Sequence, residues 1–208
     1  MNRFRIHRIR WVSPFVAVVI PWATFAFPIH AAGVLVLLVG PPASGRTTQA
    51  EFLRKDPGLP VIAADDLIGH NPQKFQKYKT PALNGVDPHL DPALNELVEQ
   101  ALRTSDLSKG VVLDGYPASK IQGDFLTALR KKFDLPRSVV IHLSAPDDVV
   151  RKRLRGQSRD VEQELKDYHR EFDFVSLYFP SADIRAVDAT RDPAEVAKQV
   201  KAILQSAH

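Results

Sequence analysis

No cysteine occurs among the 208 residues, which excludes disulfides and thiolate metal sites and is compatible with either redox compartment. Internal repeats and low-complexity tracts are also missing, so solenoids and disordered tails are set aside. Excess charge is the third absence. The chain has 28 Lys+Arg against 24 Asp+Glu, but Arg3, Arg5, Arg8 and Arg10 lie in the first 32 residues, and the remainder carries 24 of each sign. A neutral remainder offers no broad basic face, so no nucleic-acid partner is expected.

Acidic residues are wholly lacking from residues 1–32. After the four arginines comes Trp11 to Ile29, almost wholly apolar, then small Ala31, Ala32 and Gly33. This is the layout of a secretory signal, and it predicts a periplasmic or secreted protein. Pro14 and Pro21 and the shortness of the apolar stretch argue against a stable spanning helix. Two other readings stay open: an uncleaved anchor, which would be the chain's sole membrane contact, and a start assigned too early, with a cytoplasmic domain beginning near Ala32. About 176 residues, 33–208, are left for one core and one domain.

What is present is a loop. The apolar run Val34 to Val39 leads into Gly40-Pro41-Pro42-Ala43-Ser44-Gly45-Arg46-Thr47-Thr48. A strand followed by such a turn brings successive backbone N–H groups onto phosphate oxygens at a helix N-terminus. The signature lysine of a phosphate loop is replaced by Arg46, whose planar fork differs from an ammonium point charge, while the Thr47 hydroxyl is placed to ligate Mg²⁺. The competing reading is a Gly/Pro strand-to-helix turn with no ligand.

Beyond the loop, Thr47 to Arg54 is predicted as a helix stopped by Asp56-Pro57-Gly58, and Val61 to Ala64 as a short strand before Asp65-Asp66. His70 to His89 reads as irregular or as a short helical cap over a site. Leu94, Leu97, Val98, Ala101 and Leu102 recur at helical spacing. Val111 to Leu113 and Val139 to Leu143 are strands, the second followed by a basic helix from Asp147 to Arg155. Ile184 to Val187 is a last strand, and Val196, Val200, Ile203 and Leu204 mark a closing helix. Alternating strands and helices predict a parallel sheet covered on both faces. Asp114, at the end of one strand, is a candidate Mg²⁺ partner through water, or else the cap of a turn before Gly115.

Over roughly Val34 to Leu204 the chain resembles the adenylate kinase group of nucleoside monophosphate kinases. The loop, then Val112-Leu113-Asp114-Gly115-Tyr116-Pro117, then Val140 to Leu154 and a tail with Tyr168-His169, Tyr178 and Val187-Asp188-Ala189 follow the family order. The resemblance implies a P-loop NTPase-type α/β three-layer sandwich with a central parallel sheet and a shortened lid. It implies ATP and Mg²⁺ as cofactors, small-molecule nucleotide substrates and a monomer. Gln122 falls where the family reads the acceptor base, and Arg153 where an arginine packs on the donor base. Arg46, Asp114, Arg153, Arg155 and Arg159 are the candidate catalytic residues, the last three stabilising charge on the transferring phosphoryl group; the competing reading of Arg155 and Arg159 is a solvated basic turn.

Departures gather at the acceptor phosphate. Two family arginines that grip it correspond here to Gly69 and Ala118. Charge-assisted hydrogen bonds contribute roughly 1.5–3 kcal/mol each, so their joint loss weakens acceptor binding by more than about a hundredfold. Lys120, Lys74 and Lys77 are the nearby substitutes. Three functions follow: phosphoryl transfer to a nucleoside monophosphate, transfer to a hydroxyl acceptor oriented by Asp65 or Asp66, and a catalytically degenerate nucleotide-binding protein. For Asp65-Asp66 the competing reading is a helix N-cap before Leu67.

Overall fold

The structure, a computed structural model, describes residues 33–75 and 90–206. The opening segment 1–32 and much of the stretch expected as a cap, including Lys77, lie outside the described residues. Five strands, β1 (Val34–Val39), β2 (Val61–Ala63), β3 (Gly110–Asp114), β4 (Arg137–Ser144) and β5 (Ile184–Asp188), form one sheet in the order β2-β3-β1-β4-β5. All neighbours are parallel, with Val36 opposite Val112 on one side and Val139 on the other.

Parallel pairing requires crossovers, and helices supply them. They are α1 (Arg46–Lys55), α2 (Ala64–His70), α3 (Pro72–Phe75), α4 (Leu90–Thr104), α5 (Lys120–Lys132), α6 (Asp147–Arg153), α7 (Val161–Tyr178) and α8 (Pro193–Ser206). Because strand side chains alternate, β1 feeds two cores at once. Val34, Val36 and Leu38 pack with Ala50, Leu53, Val196, Val200 and Leu204. Leu35, Leu37 and Val39 pack with Leu94, Val98, Leu102, Leu126, Leu129 and Val175. That is the three-layer sandwich expected from the alternation of short apolar runs with helices.

The differences from the expected boundaries have local causes. Strand β2 ends at Ala63, one residue earlier than expected, and α2 begins at Ala64 with Ala63 as its cap and no side-chain bond there, so Asp65 and Asp66 occupy its first turn instead of capping it. Carboxylates are favourable there through the helix dipole. Helix α6 stops at Arg153, short of Arg155, where Leu154 takes over as C-cap. Helices α5 and α7 were not anticipated. Ser119 caps α5 by accepting from the Gln122 N–H, and Asp160 caps α7 by accepting from the Gln163 N–H at 3.1 Å.

Only seven residues, 154–160, join α6 to α7, which is the shortened lid. The sheet reverses its direction of winding between β3 and β4, on either side of β1, and the carboxyl ends of those strands open a crevice. Leu37 is 0 % exposed in the middle of β1, whereas Leu177 on α7 is 78 % exposed. Leu37→Ala is expected to lower stability by about 2–5 kcal/mol. Leu177→Ala is expected to stay within about 0.5 kcal/mol of the parent, with urea unfolding as the measurement for both.

Candidate active site

The loop is shaped by close backbone approach. A Cβ on Gly40 would lie 2.7 Å from Ser44 Oγ and 2.8 Å from the Leu143 carbonyl oxygen, so only glycine fits against β4. The Ser44 N–H donates to the Pro41 carbonyl at 3.1 Å and closes the turn. Gly45, at φ 91, then caps α1 without any side-chain bond, which leaves the first N–H groups of that helix directed at the loop's interior. Ser44 Oγ is buried there without a partner.

A cleft of about 670 Å³ surrounds the loop. Gly40 to Thr48 form its floor, and Asp65, Arg159, Glu164, Asp167, Tyr168 and Glu171 form its walls. The last four lie three or four residues apart on α7 and so share one face of that helix. Sequence reasoning missed Glu164, Asp167 and Glu171, because α7 was not read as a helix. The signal was there in Asp160 as cap and Leu165, Tyr168 and Val175 as a buried stripe.

Arg46 is held between two acids. Its Nε lies 3.5 Å from Asp114 Oδ1 and its Nη1 lies 3.5 Å from Glu171 Oε1. Neither carboxylate oxygen has a hydrogen-bond partner. Burial raises the pKa of Asp114, and the Arg46 charge opposes that rise. Burial likewise pushes Glu171 up to about 7, with Asp114 and Asp65 adding to the rise and Arg46 again opposing it.

The other expected site residues are distributed unevenly. Arg153 donates from Nη1 to the Ala43 carbonyl at 3.0 Å and from Nη2 to the Ala189 carbonyl at 2.8 Å. It therefore ties the loop, where Ala43 has φ 55, to the chain beyond β5. Arg159 reaches the cleft wall but is gripped bidentately by Glu164, with both bonds at 2.7 Å. Arg155 is exposed on the turn and does not line the cleft. Asp65 lines the cleft and Asp66 does not.

Gln122 is an interior residue, 4 % exposed. Its Oε1 accepts from the Ala118 N–H and its Nε2 donates to Asp91 Oδ1, each at 2.7 Å, while Ser119 Oγ donates to Asp91 Oδ2 at 2.6 Å. Both ends of its amide are thus engaged within the chain, and recognition of a base would require those bonds to exchange. Lys74 pairs with Glu96 at 3.2 Å and Lys120 with Asp124 at 2.7 Å, so each of these cations already has a counter-ion.

Among the described residues no group of three or more His, Asp or Glu side chains is arranged to hold a metal ion by itself. Thr47, in the first turn of α1, and Asp114, with its orphaned Oδ1, suit an ion that arrives with phosphates, since Mg²⁺ takes only one or two protein ligands in such sites.

The family model described as adenylate kinase matches residues 38–184. An adenylate kinase of Mycolicibacterium vanbaalenii is 34 % identical over 178 residues, which cover 81 % of this chain and 98 % of that protein. One from Mycobacterium leprae is 32 % identical over 162 residues, 74 % of this chain and 90 % of the relative. Adenylate kinase 1 of a Nostoc species is 28 % identical over 185 residues, 82 % and 98 % of the two chains.

The buried Glu171 has a consequence for stability. Its folded pKa of about 7 lies above the ordinary 4.5, so the native state keeps a proton that the unfolded chain releases. Stability from this group is therefore present at low pH and lost as pH rises through that window, by on the order of 3 kcal/mol in all. Urea unfolding of Glu171→Gln is expected to show a larger gain over the parent at pH 8 than at pH 5.

Proposed function

The chain belongs to the adenylate kinase family, and from that premise we propose that it is an ATP-dependent phosphotransferase that moves the γ-phosphoryl group to a nucleoside monophosphate. The observation that carries the reading is the Gly40 to Thr48 loop, closed by its own backbone and opening the N-terminus of α1 into the cleft. Its amides bind the donor phosphates, and the N–H donors of Arg46 reach the outer ones.

Thr47 and Asp114 would hold Mg²⁺, directly and through water, and the bound ion would supply charge neutralisation between the outer phosphates. Arg153 keeps the loop in place by its two carbonyl contacts. Arg159 stands at the wall to meet the charge of the transferring group once Glu164 yields it. No general base is needed, because an acceptor phosphate is already an anion, and catalysis reduces to alignment and electrostatics.

The acceptor side is the weaker half. Gly69 and Ala118 provide no cation where the resemblance places arginines, which predicts a high KM for the monophosphate. A Cβ on Gly69 would meet nothing within 4 Å, so a larger side chain has room.

We also propose that residues 1–32 act as an export leader, on the strength of the arginine cluster followed by an apolar run. They precede the part matched to the family, 38–184. Among the described residues no helix is long and apolar enough to cross a membrane. Sequencing the N-terminus of protein purified from its own cells is expected to find it close to residue 33, and an intact Met1 would overturn the proposal.

A coupled assay with Mg-ATP and a panel of nucleoside monophosphates is expected to show ADP formation with at least one acceptor. A flat response to all of them would remove the activity. Gly69→Arg is expected to lower the acceptor KM by about tenfold with little change in the KM for ATP, as one charge-assisted contact is restored.

A further inference from the structure

Carboxylates outnumber cations around the cleft, and one of them has no part in the chemistry proposed above. Glu171 is on α7 with its side chain 14 % exposed, its Oε1 3.5 Å from Arg46 Nη1 and without a hydrogen-bond partner. The opposite side of the same guanidinium faces Asp114 at 3.5 Å. Arg46, the basic residue within the loop, is thus neutralised from two directions before any anion arrives.

We propose that Glu171 is a built-in counter-ion of the polyphosphate site that sets how tightly the loop binds its anionic ligand. This rests on the reading of Gly40 to Thr48 as a polyphosphate loop. For phosphates to take the Arg46 donors, the guanidinium has to give up its contact with Glu171, which leaves a buried carboxylate beside a polyanion. Such an arrangement is costly while the carboxylate stays ionised. Proton uptake by Glu171 removes the cost.

The surrounding groups favour that uptake. Facing Glu171 are Arg46 from α1, Asp114 from β3 and Asp65 from α2, while Glu164, Asp167 and Arg159 border the same cleft and Arg159 is already occupied by Glu164. Tyr168 from the same helix turns its hydroxyl to His142 Nε2, 2.7 Å away. The acid therefore has one cationic neighbour, and the ligand withdraws it. Burial and the neighbouring aspartates already hold Glu171 at about pH 7. If only the protonated form accepts the ligand, wild-type affinity is reduced by the reciprocal of the protonated fraction, little at pH 6 and about tenfold at pH 8.

The test is calorimetric titration of magnesium-free ATP, in a chelator, into the full chain and into Glu171→Gln at pH 6 and pH 8. Comparing the two proteins at each pH cancels the ligand's own titration. The variant is expected to bind within about twofold of the parent at pH 6 and about tenfold tighter at pH 8. Equal affinities at both pH values, or weaker binding by the variant at pH 8, would overturn the counter-ion role. Glu171→Met, neutral and of similar length, is expected to behave in the same way, and tightening by glutamine alone would assign the effect to the amide and overturn the role.

A third measurement needs no variant: in buffers of different ionisation enthalpy, wild-type binding at pH 8 is expected to take up close to one proton, and no uptake would overturn the proposal. Tightening by Glu171→Gln with no phosphoryl transfer to any acceptor would leave the counter-ion standing and remove the phosphotransferase reading. Transfer with unchanged affinities would do the reverse.

Discussion

A guanidinium between two buried carboxylates joins three layers of this molecule. Arg46 begins α1, Asp114 ends β3 and Glu171 lies on α7, and the pairs at 3.5 Å draw the helix on one face of the sheet toward the helix on the other across the strand ends. An ammonium would have only one compact charge to share, whereas a planar fork meets both acids with different nitrogens. The same two contacts make the loop's electrostatics unlike those of an open phosphate cradle. Attraction for anions depends on how readily Arg46 leaves its partners, and that depends on burial of Glu171 as much as on the loop.

The sheet explains why these residues meet. Strand β1 is central, so its carboxyl end has β3 on one side and β4 on the other. The loop after β1 then sits against the end of β3, which brings Asp114, and against β4, where Leu143 forces glycine at position 40. Helix α7 borders the same cleft with Glu164, Asp167, Tyr168 and Glu171. A site built from the loop, one face of α7, Asp65 of α2 and Arg159 of the turn before α7 is held by packing of both cores, not by the loop's own few hydrogen bonds.

Where the family resemblance expects acceptor recognition, the polar groups are turned inward. Asp91, 1 % exposed, accepts from Ser119 and Gln122, and Tyr116 donates to Asn95 Oδ1 at 2.6 Å. Fully satisfied buried polar networks of this kind rigidify the junction between α4 and α5. They also occupy the amide that the family resemblance assigned to base recognition. None of these residues, nor Gly69 or Ala118, lines the cleft around the loop, and the hydrogen bonds of the network are spent within the chain.

Strands β1 and β3 were legible in the chain as continuous apolar runs and β4 as one broken only by His142, because a strand buried on both faces needs no polar alternation. The loop and Asp114 at a strand end were legible from consecutive residues, and the closing helix α8 from the helical spacing of Val196, Val200, Ile203 and Leu204. Helices α5 and α7 were not. Gln122 and Gly123 interrupt the buried stripe of α5, and a carboxylate, Glu171, sits on the buried side of α7, so the faces that matter most for the site carry the least hydrophobic periodicity. The sequence by itself determined a Gly/Pro turn from a buried strand into a helix, since that motif is written in consecutive residues. Only the tertiary structure decided which charges oppose Arg46 and which amides are already spent, since pairing through space follows from strand order and helix docking across positions far apart in the chain.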